Sequence, residues 1–363
     1  MTEVWIVQPY VPSYRVPFFE MLRGRLASFA INLHVVAGMP HGRQALRGDA
    51  RSPDWLVNAS ERTLSIGTRT LTLTTTRRYW RRADAVIVPH MGSSLDALTA
   101  VFATPRVRVG VWGHIRPYTS VGHPLDIGIE KVQLRRADHV FAYTPGGASY
   151  ARSVGVSPQR TTTVMNSIDT SQLTSDLKSI TRGERLAWRE RNQLPRGPLV
   201  AYLGGLDRSK RIDFLARALD HLHADGSPLH LVVGGAGTDE ALLARAQARG
   251  QVTLMGRVDG REKALLLSEA IGIACPGRVG LVAVDGLAAH RPIITTNFEF
   301  HAPEIEYLEE GKTMFSSSDN ARQYARLLEG LIQRPPSEVQ WRAPTLDAMV
   351  SNFSSGVRAM VNS

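Results

Sequence analysis

The chain has 363 residues, 43% of them hydrophobic, which is too long for one ordinary core and predicts two domains of about 150–200 residues each. Its formal net charge of +10 indicates an anionic partner: nucleic acid, a phosphorylated substrate or an acidic membrane surface. A single cysteine, Cys275, excludes an internal disulfide. Neither a signal peptide nor a membrane-spanning run is predicted, so we expect a cytoplasmic protein with at most peripheral membrane contact.

The first half of the chain alternates apolar runs with stretches of helical spacing. This pattern is typical of parallel strands covered by helices on both faces. A basic stretch, residues 77–82, interrupts the rhythm and is either a solvated loop or an arginine-rich aromatic segment that docks on anionic lipid. Strands are predicted at 4–8, 31–37, 85–89, 107–112, 140–143 and 161–165, and helices at 16–26, after 94, at 125–137 and from 147.

A polar stretch after residue 168 predicts a domain boundary with one linking helix. A second α/β series begins at Leu199, and two successive doubly wound sheets are expected to bind ligand at the carboxyl ends of their strands, in a central cleft. The predicted organisation is an N-terminal domain over 1–170, a linker over 171–198, a C-terminal domain over 199–343, and a closing helix over 344–363, with packing against the first domain as one option.

The segment over 275–311 carries the strongest site signal. A small-residue loop follows an apolar run, and a helix then starts near Gly280 with an acid, Asp285, one turn in. Backbone amides at a helix start bind anions, because the first-turn N–H groups lack partners and the helix dipole favours negative charge. An acid a few residues further on suits a pair of sugar hydroxyls. The predicted ligand is therefore a nucleoside diphosphate.

Six segments in order along nearly the whole chain resemble the retaining GT-B glycosyltransferases of family four. The resemblance implies two Rossmann-like doubly wound domains facing a central cleft. It also implies transfer of a hexosyl or deoxyhexosyl group from a nucleotide-sugar donor to a saccharide, lipid-linked or small-molecule acceptor, without a cofactor. The segments are QPYVPSYRVPFF (8–19), VWGHIRP (111–117), YTPGGASYARSVGV with VMNSIDTSQL (143–156 and 164–173), GGLDRSKRIDFLARAL (204–219), TLMGRVD (253–259) and PGRVGLVAVDGLA (276–288).

Two departures from the family pattern affect the expected site. The family's phosphate turn usually has an arginine where this chain has Gly205, while the lysine five positions later is kept as Lys210, with Arg208 or Arg211 as possible substitutes. In the glutamate–seven–glutamate segment the first acid falls on Gly277 and the second on Asp285. The resemblance then implies a subgroup in which His301 or Glu304 takes over recognition of the donor sugar.

The predicted site combines these assignments. Lys210 would bind the diphosphate, or else is a solvated surface lysine. Asp285 would bind the ribose, or else is an ordinary polar helix position. His114 would contact a sugar or a developing charge, or else is a core histidine. Glu304 alternatively caps the next helix. The full set is, as catalytic residues, His114, Lys210 and Glu304; for the donor, Gly204, Gly205, Arg208, Lys210, Arg257, Val258, Gly277, Val279, Gly280, Leu281, Val282, Asp285 and His301; for the acceptor, Pro12, Ser13, Tyr14, Arg15 and His114.

Other functions are weighed against this one. A nucleic-acid binder should cluster its basic residues in a known module, whereas these arginines are scattered, so we expect no nucleic-acid partner. A nucleotide-sugar epimerase should carry paired acids and a histidine in the cleft, and a phosphorylase should carry a cofactor lysine; neither pattern is evident in the sequence. A degenerate relative that binds nucleotide sugar without turnover stays open. No Asp-x-Asp and no metal-spaced His/Cys cluster occurs, which predicts no metal site.

Overall fold

The computed structural model of the chain describes residues 1–40, 45, 48–66, 69–103, 106–119, 121–333 and 341–363. The chain divides into two compact units: unit 1 is Met1–Asp169 with Pro344–Ser363, and unit 2 is Thr170–Ala343. Residues 171–198, interpreted above as a linker with one helix, instead form two helices and fold as part of unit 2.

Each unit is built on a parallel sheet whose central strands are buried on both faces, as their continuous apolar runs predict. The described strands of unit 1 are β1 (Thr2–Gln8), β2 (Ile31–Ala37), β3 (Leu56–Asn58), β4 (Glu61–Ile66), β5 (Arg69–Thr74), β6 (Ala85–Pro89), β7 (Arg108–Gly113), β8 (His139–Ala142) and β9 (Thr161–Thr163). Those of unit 2 are β10 (Leu199–Leu203), β11 (His230–Gly234), β12 (Val252–Leu254), β13 (Ala270–Ala274), β14 (Ile293–Thr296) and β15 (Met314–Ser317).

The helices connect these strands and cover the sheets. Within the described residues they are α1 (Val16–Ala27), α2 (Arg77–Trp80), α3 (Leu95–Ala103), α4 (Pro124–Arg136), α5 (Pro145–Ser153), α6 (Ser171–Ser179), α7 (Arg182–Arg191), α8 (Ile212–Ala224), α9 (Ala244–Ala248), α10 (Gly260–Glu269), α11 (Val282–Ala289), α12 (Ala321–Ile332) and α13 (Leu346–Val361). None of the described helices is long and apolar enough to span a bilayer.

Both sheets have the doubly wound strand order. Among described strands the order in unit 1 is β3-β2-β1-β6-β7-β8-β9, and in unit 2 it is β12-β11-β10-β13-β14-β15. The winding direction reverses between β1 and β6 in unit 1, and between β10 and β13 in unit 2. Ligands of such sheets bind where the direction reverses, at the carboxyl ends of the strands. The loops after β10 and β13 therefore mark the first place to look for a site.

The C-terminal helix α13 belongs to unit 1. Phe353 of α13 stacks on Phe141 of β8, with ring centroids 4.5 Å apart and an interplanar angle of 19°. Met360 of the same helix packs so close to β7 that a Cβ on Gly110 would lie 3.1 Å from its sulfur. Burial of this apolar face supplies the main force that holds the end of the chain on unit 1.

The basic stretch at residues 77–82 contains α2, and its aromatic residues face inward. Trp80 is fully buried, and its indole Nε1 donates to Thr76 Oγ1 at 3.3 Å. Tyr79 stacks on Trp5, with ring centroids 5.6 Å apart. Trp80 is therefore not available to a lipid surface, and the exposed side chains of this stretch are those of its arginines.

Candidate functional site

The turn after β10 places Lys210 against the turn after β13. Asp207 accepts a hydrogen bond from the Ser209 amide at 2.8 Å, which shapes a short 3₁₀ turn over Arg208–Lys210. Lys210 Nζ donates to the Arg278 carbonyl at 2.6 Å, and the Arg278 amide donates back to the Ser209 carbonyl at 2.9 Å. The predicted cation and the predicted helix-start turn thus lie side by side, at the point where the winding of the sheet reverses.

Gly277 is a glycine for a steric reason. A Cβ at this position would lie 2.6 Å from the carbonyl carbon of Lys210 and 2.6 Å from the Ser209 oxygen. Real Cβ atoms essentially never come within 3.0 Å of such atoms. The position that the resemblance assigns to a glutamate is therefore occupied by the backbone of the neighbouring turn, and an acid there would push the two turns apart.

The turn after β11 supports the Lys210 turn from its other side. Gly204 adopts a φ of +135°, a conformation that favours glycine, and its neighbour Gly205 is exposed. A Cβ on Gly235 would lie 1.9 Å from the Gly204 oxygen, so only glycine allows the two backbones to touch. Gly235 and Gly237 thus form a packing surface for the turn after β10, on the backbone of Gly204 and of Leu206.

His301 stabilises the turn that precedes α11 through hydrogen bonds. The Val279 amide donates to His301 Nδ1 at 3.1 Å, and His301 Nε2 lies 3.3 Å from the Thr296 carbonyl. Because Nδ1 accepts, Nε2 carries the proton and the ring is neutral. Burial lowers the pKa of His301 below its ordinary value, against the opposing effect of the Thr296 hydrogen bond. Because the Val279 amide already donates to His301, it is not available to an anion. The backbone amides left for the predicted anion site are those of Gly280, Leu281 and Val282, where α11 starts without a side-chain cap.

Positive charge concentrates around this turn. Besides burial, three neighbouring cations lower the pKa of His301: Lys210, Arg211 and Arg278. Arg211 NH1 donates to Asp319 at 2.5 Å and contacts the Pro276 carbonyl of the turn after β13 at 3.5 Å, and its guanidinium lies 5.0 Å from the Phe298 ring centroid. Arg208 is exposed. Arg278 belongs to this turn, and Lys210 is the cation of the neighbouring turn that contacts it through the Arg278 carbonyl.

Glu304 lies close to the start of α11. It belongs to a 3₁₀ helix, Pro303–Tyr307, and only 3% of it is exposed. One of its carboxylate oxygens lies 4.0 Å from the position that a Cβ on Gly280 would take. His301 and Glu304, both predicted for the donor site, thus lie next to the turn that precedes α11. His301 accepts a hydrogen bond from that turn, and the Glu304 carboxylate lies beside the start of the helix.

Asp285 is held by a lysine that the sequence analysis did not single out. Lys263 Nζ of α10 donates to Asp285 Oδ1 of α11 at 2.8 Å. Both side chains are mostly buried, with 21% of Lys263 and 13% of Asp285 exposed. The predicted ribose acceptor is therefore a charged and oriented group rather than a solvated polar position.

The two residues predicted to line the base pocket follow β12. Val258 packs beside the end of β11, since a Cβ on Gly234 would lie 2.3 Å from its Cγ2. Arg257 is exposed and follows Gly256, whose φ is +67°. Both residues lie at the same sheet edge as Lys210, as expected for strand ends of one parallel sheet.

Unit 1 contains a buried cation in the predicted acceptor loop. Arg15 is 5% exposed, and its NH2 donates to Asn166 Oδ1 at 2.5 Å. Its guanidinium carbon lies 5.6 Å from the ring centroids of both Trp112 and Tyr143. The loop is a short 3₁₀ helix at Ser13–Arg15. Of the four residues predicted for the acceptor in this loop, Pro12 and Arg15 are therefore buried, and Ser13 and Tyr14 are exposed.

His114 follows β7 and shares an aromatic neighbour with Arg15. Its ring meets Tyr143 edge-on at 5.2 Å and Tyr118 at 6.4 Å between centroids. Sequence reasoning missed Tyr143 and Asn166 as members of this cluster, although Tyr143 directly follows β8 and Asn166 lies a short way past the end of β9. Position at the carboxyl end of a strand was the signal that could have found them.

A family model matches part of the chain, and the matched residues lie in unit 2. Residues 197–334 match the family model described as Glycosyl transferases group 1. No curated protein matches the chain. In the part of the chain that the structure describes, no group of three or more His, Cys, Asp or Glu residues is placed to hold a metal ion.

Solved structures match the chain over its whole length. A glycosyltransferase from Rickettsia africae is 12% identical, with a TM-score of 0.63 and coverage of 99% of this chain and 96% of that one. HepE from Anabaena in complex with UDP is 13% identical, with a TM-score of 0.63 and coverage of 100% and 98%. UDP-GlcNAc 2-epimerase from Methanocaldococcus jannaschii is 13% identical, with a TM-score of 0.59 and coverage of 100% of both. The fold is GT-B, with two Rossmann-like doubly wound units, and at these identities the likeness speaks for the fold alone.

Proposed function

We propose that this protein is a retaining, metal-independent glycosyltransferase. It moves a hexosyl or deoxyhexosyl group from a nucleoside diphosphate sugar to a hydroxyl of a saccharide, lipid-linked or small-molecule acceptor. The family match over 197–334 supports the reaction class. The observation that carries the proposal is the contact of Lys210 Nζ with the Arg278 carbonyl at 2.6 Å, which puts an ammonium beside the start of α11.

The diphosphate would be bound by two kinds of donor. An ammonium has three N–H groups, and the Arg278 carbonyl occupies one of them, so two remain for phosphate oxygens. The amides at Gly280, Leu281 and Val282 begin α11, where the helix dipole favours negative charge. Charge that develops on the leaving diphosphate in the transition state is stabilised by these groups, and no metal ion is needed for that step.

The remaining assignments follow from position. Asp285 takes the ribose, Arg257 and Val258 line the base pocket, and Gly204, Gly205 and Arg208 lie along the phosphate turn. Glu304 lies beside Gly280 and is assigned to the donor sugar, while Gly277 and His301 hold the turn in shape. In unit 1 the exposed Ser13 and Tyr14, with His114, are assigned to the acceptor.

Proton transfer needs no protein base in this scheme. As the family resemblance implies, the departing phosphate oxygen takes the proton of the acceptor hydroxyl on the same face of the sugar. The new glycosidic bond forms as the bond to the phosphate oxygen breaks, and the diphosphate leaves with the proton. Catalysis is then positioning together with stabilisation of the leaving group.

The proposal is tested by turnover. The protein is incubated with UDP-, GDP-, ADP- and TDP-sugars and mixed acceptors in the presence of EDTA, and release of nucleoside diphosphate is followed while NMR reports the anomeric configuration. We expect one donor to be consumed with retention and without loss of rate in EDTA. Binding without release would instead favour a degenerate relative. Conversion of UDP-GlcNAc to its 2-epimer without transfer would favour the epimerase, whose fold is shared.

A further inference from the structure

The loop that follows β6 lies where the winding of the unit 1 sheet reverses, and two side chains of α4 hold it. The Gly92 amide donates to Glu130 Oε1 at 3.1 Å, and Gln133 Nε2 donates to the Met91 carbonyl at 3.1 Å. Asp126 lies against the same loop, because a Cβ on Gly92 would be 2.8 Å from the Asp126 Cβ. Positions 126, 130 and 133 share one face of a helix by their spacing, so one face of α4 meets this loop.

Glu130 brings to this loop a negative charge that no cation among the described residues neutralises by an ion pair. Burial raises the pKa of this half-buried carboxyl, the Gly92 amide lowers it, and the charge of Asp126 raises it again. A partly buried carboxylate without a counter-charge is costly, and a cation offsets that cost more fully than a neutral donor does. Glu130 therefore favours a ligand group that carries positive charge.

Gln133 gives an independent indication of a ligand. Its side chain is fully buried, and in the described parts of the chain its Oε1 accepts no hydrogen bond. Buried amide oxygens are ordinarily paired, because an unpaired one loses its hydration without compensation. The Met91 carbonyl and the Gly92 amide belong to one peptide group, so the Gln133 carboxamide and the Glu130 carboxylate lie at the two ends of that group. A ligand group with several N–H donors can therefore serve both.

We propose that unit 1 binds a protonated amine of the acceptor at Glu130 and Gln133, so that the preferred acceptor is an amino sugar or an aminocyclitol. The inference rests on the proposed function, which places the acceptor in unit 1. An ammonium has three N–H donors and neutralises the carboxylate. It positions the acceptor, and the sugar is still transferred to a hydroxyl. Strand β6 lies between β1 and β7, so its loop lies at the same sheet edge as Tyr14 and His114, which are assigned to the acceptor.

The direct test compares amines with their neutral forms on the unmodified protein. Calorimetry measures the Kd of glucosamine, galactosamine and 2-deoxystreptamine, each beside its N-acetylated form, with and without the nucleoside diphosphate that binds best. We expect at least one free amine to bind about tenfold or more tightly than its N-acetylated form, the usual effect of a hydrogen bond to a charged group. Failure of all three amines to bind, or equal binding of the N-acetylated forms, would overturn the inference.

Two variants separate ligand binding from a merely structural role. Glu130→Gln keeps an oxygen for the Gly92 amide and removes the charge, so the ratio of N-acetylated to free-amine Kd should fall to near one while nucleotide affinity is kept. Gln133→Met removes the second oxygen and should lower the ratio severalfold. If both residues only held the loop, the variants would change the free energy of unfolding and leave the ratio as it was.

Glu20→Gln is the matched control, because Glu20 is an exposed glutamate on α1 of the same unit. Its ratio should equal that of the unmodified protein. The outcomes also distinguish the two levels of the proposal. If the amines bind but no nucleoside diphosphate does, the proposed function is contradicted. If a nucleotide sugar is consumed with neutral acceptors only, the inference alone falls.

Discussion

The two units place a cation at the same topological position and use it differently. Arg15 follows β1 in unit 1, and Lys210 follows β10 in unit 2; each turn comes after the strand from which the winding of its sheet reverses. The Arg15 guanidinium is buried against aromatic rings and donates to the Asn166 amide oxygen. The Lys210 ammonium is half-buried and donates to one backbone carbonyl. What a cation can do for a ligand depends on how many of its donors the fold has consumed.

The surroundings of the two cations differ in the same sense. Around Lys210 the neighbouring turns approach through glycines, and Gly277 and Gly235 allow backbone to touch backbone. Around Arg15 the neighbours are large side chains such as Trp112 and Tyr143. Close backbone approach exposes amides to an anion, whereas aromatic packing encloses a charge. The difference supports the proposal that unit 2 binds the phosphates, and it gives Arg15 a packing role.

The largest effect should come from filling the space at Gly277. Gly277→Ala forces a Cβ against the Lys210 backbone at 2.6 Å, so the two turns must separate. We expect nucleoside diphosphate affinity to fall by about a hundredfold and the free energy of unfolding by about 1–3 kcal/mol, the usual cost of overpacking. Gly277→Glu, which restores the acid expected from the resemblance, should abolish turnover rather than improve it.

Gly330→Ala is the matched control for this experiment. Gly330 lies within α12 of the same unit, and a Cβ there would meet nothing within 4 Å. Its replacement by alanine should leave affinity unchanged and stabilise the helix slightly. Retained affinity in Gly277→Ala would show that contact between the two turns is not needed for binding.

In unit 1 we expect a smaller effect, on the free energy of unfolding and not on nucleotide affinity. Arg15→Met leaves the Asn166 Oδ1 and Ser167 carbonyl acceptors without this donor, which should lower the free energy of unfolding by about 2 kcal/mol. Nucleoside diphosphate affinity should change less than twofold. Denaturant unfolding and calorimetry measure the two quantities. Arg152→Met, at an exposed arginine of α5, is the control and should change neither. A large loss of nucleotide affinity in Arg15→Met would erase the distinction between the two cations.

Much of the fold could be predicted from the sequence. The continuous apolar run at 85–89 predicts β6 with the bounds that the structure has, because a strand buried on both faces leaves that signature. The hairpin of β4 and β5 was missed, since its residues are largely polar and stand outside the parallel pattern. The helices at 171–198 were read as one linking helix because polar composition hides Trp188, which is fully buried.

The sequence could predict which residues gather at the site, but not which atoms contact each other there. Residues after parallel strands gather at one edge, so Lys210 and the turn at 277–280 could be placed together. The bond from Lys210 to the Arg278 carbonyl involves backbone, which no side-chain motif encodes. The burial of Arg15 depends on rings from separate strands, and the engagement of Asp285 depends on a lysine 22 residues away in the chain.

Calorimetric titration of UDP, GDP, ADP and TDP tests most directly whether Lys210 binds the diphosphate. We expect the unmodified protein to bind at least one of these nucleotides, Lys210→Met to bind it about ten- to a hundredfold more weakly, and Lys312→Met to bind it normally. Unchanged affinity in Lys210→Met, or no binding of any nucleotide to the unmodified protein, would contradict the account.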